Sequence, residues 1–388
     1  MFGIKKNTYN SYIPVLLFLL AGIIWRTQYY VLSLYVAMPL IIVYSIYRYY
    51  HVIIKSKYTL LYLFLIIWML LSSMINDNSI VSIREMIPVV GSCFLSLSVY
   101  GIAYRNDKAR IIFLSYIVLF IFLMFKNITR EGFVSDFDYA NETERVNNSI
   151  LNANDFAYYS LYAIMSVRLF IQMLRIKIKP FILIVIYVIC ALVSFYVAMM
   201  VASRQVLIIQ IPLIVLFIYI DFVKKDGLNR KLILLIIAIV IISLLPSILD
   251  TYSHSYLAKR NEISFREDVR SELLSIAFVN GLDNPFFGLG LGADIYFSHC
   301  TYTHLLERCG FPAAIIFVII IFYAIIDQYK KYRRTRDLNF LVYFYCIVII
   351  AVGHITYSYI DEPFLMSIMF AIVGVSDKEY KVFYQKYR

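Results

Sequence analysis

The sequence predicts an all-α, polytopic membrane protein, and three observations carry that expectation. Hydrophobic residues make up 62% of the chain and charged residues only 16%, whereas soluble domains run to about 45–50% apolar and about 25% charged. Apolar runs of about 18 residues or more recur along the whole length, and each can cross a hydrocarbon core of roughly 30 Å at about 1.5 Å per residue. No period-two alternation of the barrel kind is visible. Backbone in lipid must satisfy its own hydrogen bonds, so these runs are helices.

About twelve spans can be read in order. The first begins near Ile13, behind Lys5 and Lys6. It could imitate a signal peptide, but no small-residue cleavage site follows Trp25, so it is expected to stay as a span. The second begins near Tyr30 and runs into a basic stretch at 48–57; the third begins near Tyr58. Polar residues 75–84 separate it from the fourth, near Ile87, and Arg105, Lys108 and Arg110 precede the fifth, near Ile111. A polar loop at 126–155 leads to the sixth span at Phe156, and Arg175, Lys177 and Lys179 to the seventh at Pro180. The short turn Ser203–Arg204 leads to the eighth at Gln205, and basic residues 224–231 to the ninth at Leu232. The long polar interval 250–311 precedes the tenth at Pro312, and a basic run at 330–336 the eleventh at Phe340. The twelfth begins near Phe364 and ends in a basic tail. Without an internal repeat or low-complexity segment, residues 1–388 read as one integral membrane domain with inserted outer loops.

Charge sets the orientation. A net charge of +11 invites a nucleic-acid reading, but position argues against it, because every basic cluster falls on the same side of the span count. The positive-inside rule makes that side the cytoplasm and puts both termini there. Arg145, Arg204, Arg266 and Arg270 then lie outside, against the general bias. Arg204 sits between two apolar runs with hardly any loop, and an arginine at mid-bilayer costs roughly 2.5–3.5 kcal/mol on insertion scales. It should snorkel or face a wet cavity. Guanidinium is planar, always charged and able to hold two oxygens at once, which suits phosphate. Several such groups at the outer half of the membrane suggest a phosphorylated lipid head group. A transporter would instead favour charged or broken helices at mid-membrane, where only Arg168 and His354 stand out here.

The interval 250–311 carries the densest set of special residues. Ser264-Phe265-Arg266-Glu267 matches a capping box and predicts a helix start; Arg266 and Arg270 would share its face. Gly281, Asn284 and Pro285 stop it. The run Phe287-Gly288-Leu289-Gly290-Leu291-Gly292 has neither the spacing nor the preceding strand of a nucleotide loop. Its glycines suit close backbone approach, to a helix or to a ligand. Cys300 and Cys309, nine apart on one helix, would lie about 13 Å apart, too far for a bridge. A zinc site from His299, Cys300, His304 and Cys309 fails on spacing. In the loop 126–155, acid and amide side chains with Phe133, Phe137 and Tyr139 suit sugar hydroxyls and ring faces, or make up a polar loop only.

These residues carry a family resemblance. Arg270, Pro285, Gly288-Leu289-Gly290-Leu291-Gly292, His299 and Gly310 resemble, in order, the signature of the O-antigen ligase/polymerase superfamily. In that signature an arginine opens a helix, a P-x-x-G-x-G-x-G turn follows, and a histidine begins a helix ending in glycine. Arg145 with Asn152-Ala153-Asn154-Asp155-Phe156-Ala157 resembles the family's entry to a mid-chain span, and Ala202-Ser203-Arg204 its G-S-R turn. Arg270 and Gly281 match the R-x10-G spacing of Wzy-type repeat-unit polymerases. The sequence departs from the pattern at Ala153 (usually proline), Cys300 (commonly asparagine) and Phe156 (glycine in R-x10-G).

The resemblance implies a C-type glycosyltransferase fold and a polyprenyl-diphosphate saccharide donor, with neither metal nor nucleotide sugar as cofactor. A polymerase moves the growing glycan onto the next lipid-linked repeat; a ligase moves it onto lipid A-core. A chain-length regulator and a flippase are the implied partners, together with membrane lipid, and the bacterial inner membrane the location. Arg204 and Arg270 would meet the diphosphate, and Arg145 the diphosphate or a sugar. Arg266, Asn154, Gly288, Gly290 and Gly292 would contribute to substrate binding. His299 would position the acceptor hydroxyl or take its proton. His304 ranks lower because it faces differently, and Glu307, Asp294, Glu267 and Asp268 read as solvated alternatives for the base.

Overall fold

The computed structural model describes residues 12–76, 79–131, 153–174, 178–201, 206–224, 246, 249–250, 252–253, 269–292, 300–358 and 360–386; some side chains within these, those of Asn154 and Arg270 included, lie outside the description. Among the described residues the secondary structure is helical, with no strand. In chain order the helices are α1 Ile13–Trp25, α2 Tyr30–Ile54, α3 Lys57–Ile75, α4 Ser79–Ala103, α5 Asn106–Glu131, α6 Ala153–Leu174, α7 Pro180–Val201, α8 over 206–224, α9 Val269–Asp283, α10 Thr301–Thr335, α11 Leu338–Thr356 and α12 Pro363–Lys386. Among the described residues seven helices are long and apolar enough to cross a membrane: α2, α3, α7, α10, α11 and parts of α4 and α5. The protein is a polytopic helical membrane protein.

Most helices begin close to the positions that hydropathy suggests. α4, α5 and α10 begin earlier, because each helix continues N-terminally into polar residues that an apolar window does not count. The span expected near Leu232 and the helix start expected at Ser264 fall outside the described residues, as does most of the loop 126–155.

Local chemistry explains the irregular turns. In α2, residues Ser33–Ala37 form a π-helical turn just before Pro39, and in α8 Val206–Gln210 do so just before Pro212. Proline has no N–H to return to the preceding turn, and a wider turn accommodates the loss. Buried serines close their hydroxyls onto their own helix: Ser92 onto the Pro88 carbonyl (2.7 Å), Ser96 onto Ser92 (2.8 Å) and Ser194 onto Cys190 (2.8 Å). This satisfies a polar group where no water is at hand. Outward positions carry large apolar side chains, Tyr47, Phe181 and Phe322 among them, as suits a surface facing lipid.

The described helices fall in two compact units, one comprising residues 1–115 and 268–388, the other 116–267. In the first, α4 and α12 approach so closely that a Cβ at Gly374 would lie 2.6 Å from the Tyr100 carbonyl oxygen; small residues permit such helix contact in membranes. One end of this unit gathers basic residues of several helices. Lys331 pairs with Asp327 (2.5 Å) and with Asp377, and Tyr100 donates to Asp377 (2.8 Å). Lys108 bonds Tyr49, and Lys57 and Lys378 lie over the rings of Tyr323 and Tyr104. The basic stretches at 48–57, 105–110, 330–336 and 378–386 therefore share one end.

In the second unit a buried triad joins three helices. Arg168 of α6 donates to Asp221 of α8 (2.8 Å), and Tyr187 of α7 donates to the other carboxylate oxygen (2.5 Å). Nearby in chain order, Ser160 donates to Gln210, whose amide reaches the Ala157 carbonyl. Removing one partner of a buried pair strands the other charge, at about 3–5 kcal/mol. Asp221→Ala should therefore lower the unfolding midpoint in detergent far more than the double change Arg168→Leu with Asp221→Leu, as read by thermal unfolding of the purified protein.

Candidate functional site

The glycine turn and the beginning of α10 form one structure at the end of the first unit opposite its basic end. α10 is continuous in outline but broken at Gly310, which has φ 76° and ψ 179°, with Pro312 two residues on. A break of this kind strands main-chain carbonyls. In an unbroken helix the Glu307 carbonyl would take the N–H of residue 311, and the Arg308 carbonyl that of residue 312. Here the Phe311 N–H goes to the Pro285 carbonyl (2.8 Å), and Pro312 has none. The glycine turn supplies the replacements: Leu289 N–H donates to Glu307 O and Gly290 N–H to Arg308 O, each at 2.9 Å.

That exchange requires bare backbone on both sides. Gly288 has φ 60°, and a Cβ on it would lie 2.4 Å from the Arg308 carbonyl carbon; a Cβ on Gly310 would lie 2.3 Å from the Phe286 oxygen. The close approach that the glycine run suggests is an approach to a helix. The N–H groups of Gly288, Leu289 and Gly290 all bond within the chain, Gly288 to the Asn284 carbonyl at 2.9 Å.

α3 completes the structure from the side. Trp68, Ser72 and Asn76, spaced four apart, form one stripe of donors. Trp68 Nε1 reaches the carbonyls of Phe286 (3.2 Å) and Cys309 (3.1 Å), and its ring stacks on Phe287 at 5.2 Å and 6°. Ser72 Oγ lies 2.5 Å from the Phe287 carbonyl and 3.0 Å from that of Arg308, and Asn76 Nδ2 lies 3.3 Å from Phe287 O. Sequence reasoning missed these three residues, although polar groups at i, i+4 and i+8 of an apolar span are a visible signal.

α9 docks through its last turns. It ends at Asp283, before Asn284 and Pro285, as the helix-stopping residues predict. A Cβ on Gly281 would lie 2.5 Å from Leu306, and Asn280 Nδ2 donates to Glu307 Oε1 at 2.7 Å. Glu307 is therefore not a solvated residue as the sequence suggests: it is 1% exposed, because α9 lies over it. Arg270 is in the first turn of α9, about 15 Å along the axis from Asn280. His304 is buried too. His354 Nδ1 lies 2.9 Å from Thr301 Oγ1, and its ring meets Phe317 edge-on at 5.1 Å. Cys300 stands just before the first turn of α10 and, like Cys309, is buried without a disulfide. Arg26, also missed from sequence, is buried and holds Glu362 at 2.5 Å, beside Trp25.

Of the residues singled out from sequence, Gly288, Gly290 and Gly292 are in the turn. His299, which precedes Cys300, lies outside the described residues, as do Arg145, Arg204 and Arg266 and the side chains of Arg270 and Asn154. No family model matches the chain, and no curated protein matches it either.

The turn can be tested by substitution. Gly288→Ala and Gly310→Ala each combine positive-φ strain with overlap against backbone, so both should cost more than about 1–3 kcal/mol and reduce the folded yield in membranes. Gly91→Ala, where the nearest atom to a new Cβ is Met38 Cε at 3.9 Å, should be close to neutral in the same membrane-yield and unfolding measurements.

Proposed function

We propose that the chain is a glycosyltransferase of the outer membrane leaflet that joins polyprenyl-diphosphate-linked oligosaccharide repeats into a surface polysaccharide. One observation carries the reading. The two segments that the family signature links in sequence, Pro285–Gly292 and the helix from residue 300 to Gly310, are linked in space by reciprocal main-chain hydrogen bonds. Gly288 and Gly310 are bare where the two segments meet.

In this reading the span count is about twelve, with the shared basic end of the first unit in the cytoplasm by the positive-inside rule. The glycine turn then faces the periplasm of a bacterial inner membrane. The lipid tail stays in the bilayer while its diphosphate meets arginines at the surface. The leaving diphosphate gains charge as the glycosidic bond breaks, so fixed cations that meet it lower the barrier. Arg270 and Arg204 take that role, Arg145 and Arg266 add to substrate binding, and His299 orients or deprotonates the acceptor hydroxyl.

Deletion of the gene separates the alternatives. Loss of a polymerase leaves single repeat units on the lipid core, and loss of a ligase leaves polymer stranded on its carrier. Loss of a transporter leaves carrier-linked repeats on the cytoplasmic face and no glycan on the lipid core. His299→Gln and Arg270→Ala should each reproduce the single-repeat phenotype, with protein present at wild-type level on an immunoblot. Normal polymer in His299→Gln removes that residue from the mechanism.

A further inference from the structure

The sequence reading passes over Arg308, yet the structure makes it the charged group best placed at the glycine turn. Its guanidinium is half-buried, and Nη1 donates to the Leu291 carbonyl at 2.5 Å. Nε is buried and has no acceptor. No carboxylate lies within ion-pair distance of it among the described residues. Glu307 is adjacent in sequence and its carboxylate interacts with the Arg308 charge, but it makes no ion pair with it, and its Oε1 accepts from Asn280 on α9.

The surroundings favour an anion. The carbonyls there share the available donors: the one N–H of Trp68 lies between Phe286 O and Cys309 O, the one hydroxyl proton of Ser72 serves Phe287 O or Arg308 O, Asn76 also reaches Phe287 O, and Gly290 N–H donates to Arg308 O. What is left at the turn is a cation fixed by one arm, with a buried N–H that lacks an acceptor. Buried donors without acceptors are uncommon and costly. Gly310 breaks the helix immediately before the long apolar stretch, so Arg308 precedes the residues from 311 to 329, which at about 28 Å come close to crossing the bilayer before the basic run begins. It therefore stands where a lipid head group would arrive.

We infer that Arg308 is a phosphate-binding residue, offering Nε and its second terminal nitrogen to a diphosphate oxygen while Nη1 holds the Leu291 carbonyl. The inference rests on the glycosyltransferase reading for the identity of the ligand as a polyprenyl diphosphate. The phosphate chemistry itself follows from the fork geometry of arginine. A lysine ammonium can meet two acceptors, as Lys331 does, but it is a point charge without the planar fork that holds two phosphate oxygens side by side.

The test uses the full chain in neutral-lipid nanodiscs, with undecaprenyl diphosphate, inorganic pyrophosphate or added phosphatidylglycerol as probes. Arg308→Ala should weaken undecaprenyl diphosphate about tenfold or more, the scale of a lost charge-assisted hydrogen bond. Inorganic pyrophosphate should be weakened in parallel, and Arg308→Lys should recover only part of either loss. If the alanine variant does not fold, the lysine variant decides: wild-type affinity in it overturns the inference. Unchanged affinity in a folded Arg308→Ala overturns it too. Displacement by phosphatidylglycerol as effective as by undecaprenyl diphosphate overturns the assignment to a diphosphate. The two proposals fail separately. Carrier binding that depends on Arg308, in a chain that makes no polymer, refutes the polymerase and keeps the site. Polymer made by Arg308→Ala with wild-type KM for the donor refutes the site and keeps the polymerase.

Discussion

A helix that breaks near a membrane surface must account for every carbonyl it releases, because lipid offers no donor and each unmet group costs several kcal/mol. The break in α10 is met by an exchange of main-chain partners. Phe311 gives its N–H to Pro285, and the turn returns the N–H groups of Leu289 and Gly290 to the helix carbonyls of Glu307 and Arg308. Gly288 and Gly310 are glycines because the two backbones must come within 3 Å of where a side chain would begin. The rest of this end of the first unit follows from that exchange: α3 lends donors for the remaining lone pairs, and α9 closes over Glu307.

α10 is also held at its far end. Lys331 lies between Asp327 on its own helix and Asp377 on α12, and Asp377 accepts from Tyr100 of α4. One cation between two carboxylates leaves an excess negative charge, and the Tyr100 hydroxyl donates to a further lone pair of Asp377. The long helix is thus fixed to its neighbours by main-chain bonds at one end and by charge at the other. The apolar stretch between these anchors packs by shape alone, as Ala313, Phe317, Ile320 and Ala324 do in its buried face. A strut fixed in this way keeps the glycine turn at a set height relative to the basic end.

Much of this was legible in the sequence, and the illegible part has physical causes. Apolar run length located most of the described helices between Ile13 and Phe364, because crossing lipid fixes length and composition together, while the span expected near Leu232 lies outside the described residues. It put the tenth start at Pro312 rather than Thr301, since residues 301–309 are helical but not apolar. The glycine run and the helix stop at Asn284-Pro285 were readable from conformational needs that single residues state. Glu307 was misjudged because its burial depends on α9, and no local pattern says which helix covers a given face. Arg308 and Arg26 were overlooked although the argument applied to Arg204 reaches them: an arginine on the side away from the basic clusters needs a reason to be there. Trp68, Ser72 and Asn76 had a helical spacing but no partner that sequence could name.

The spent amides of the turn constrain any chemistry there. Glycine-rich loops that bind phosphate do so with free N–H groups pointing at the ligand, but those of Gly288, Leu289 and Gly290 are consumed within the fold. At these three positions charge stabilisation has to come from side chains. A backbone cradle binds any phosphate of the right size, whereas a guanidinium held by one arm on the Leu291 carbonyl is fixed in direction and leaves only one edge to use. Selectivity for a lipid-borne anion over a free one then follows from position: the cation lies just before the stretch of α10 that enters the apolar layer, and a ligand tethered in that layer reaches it with less entropy to lose than one arriving from water.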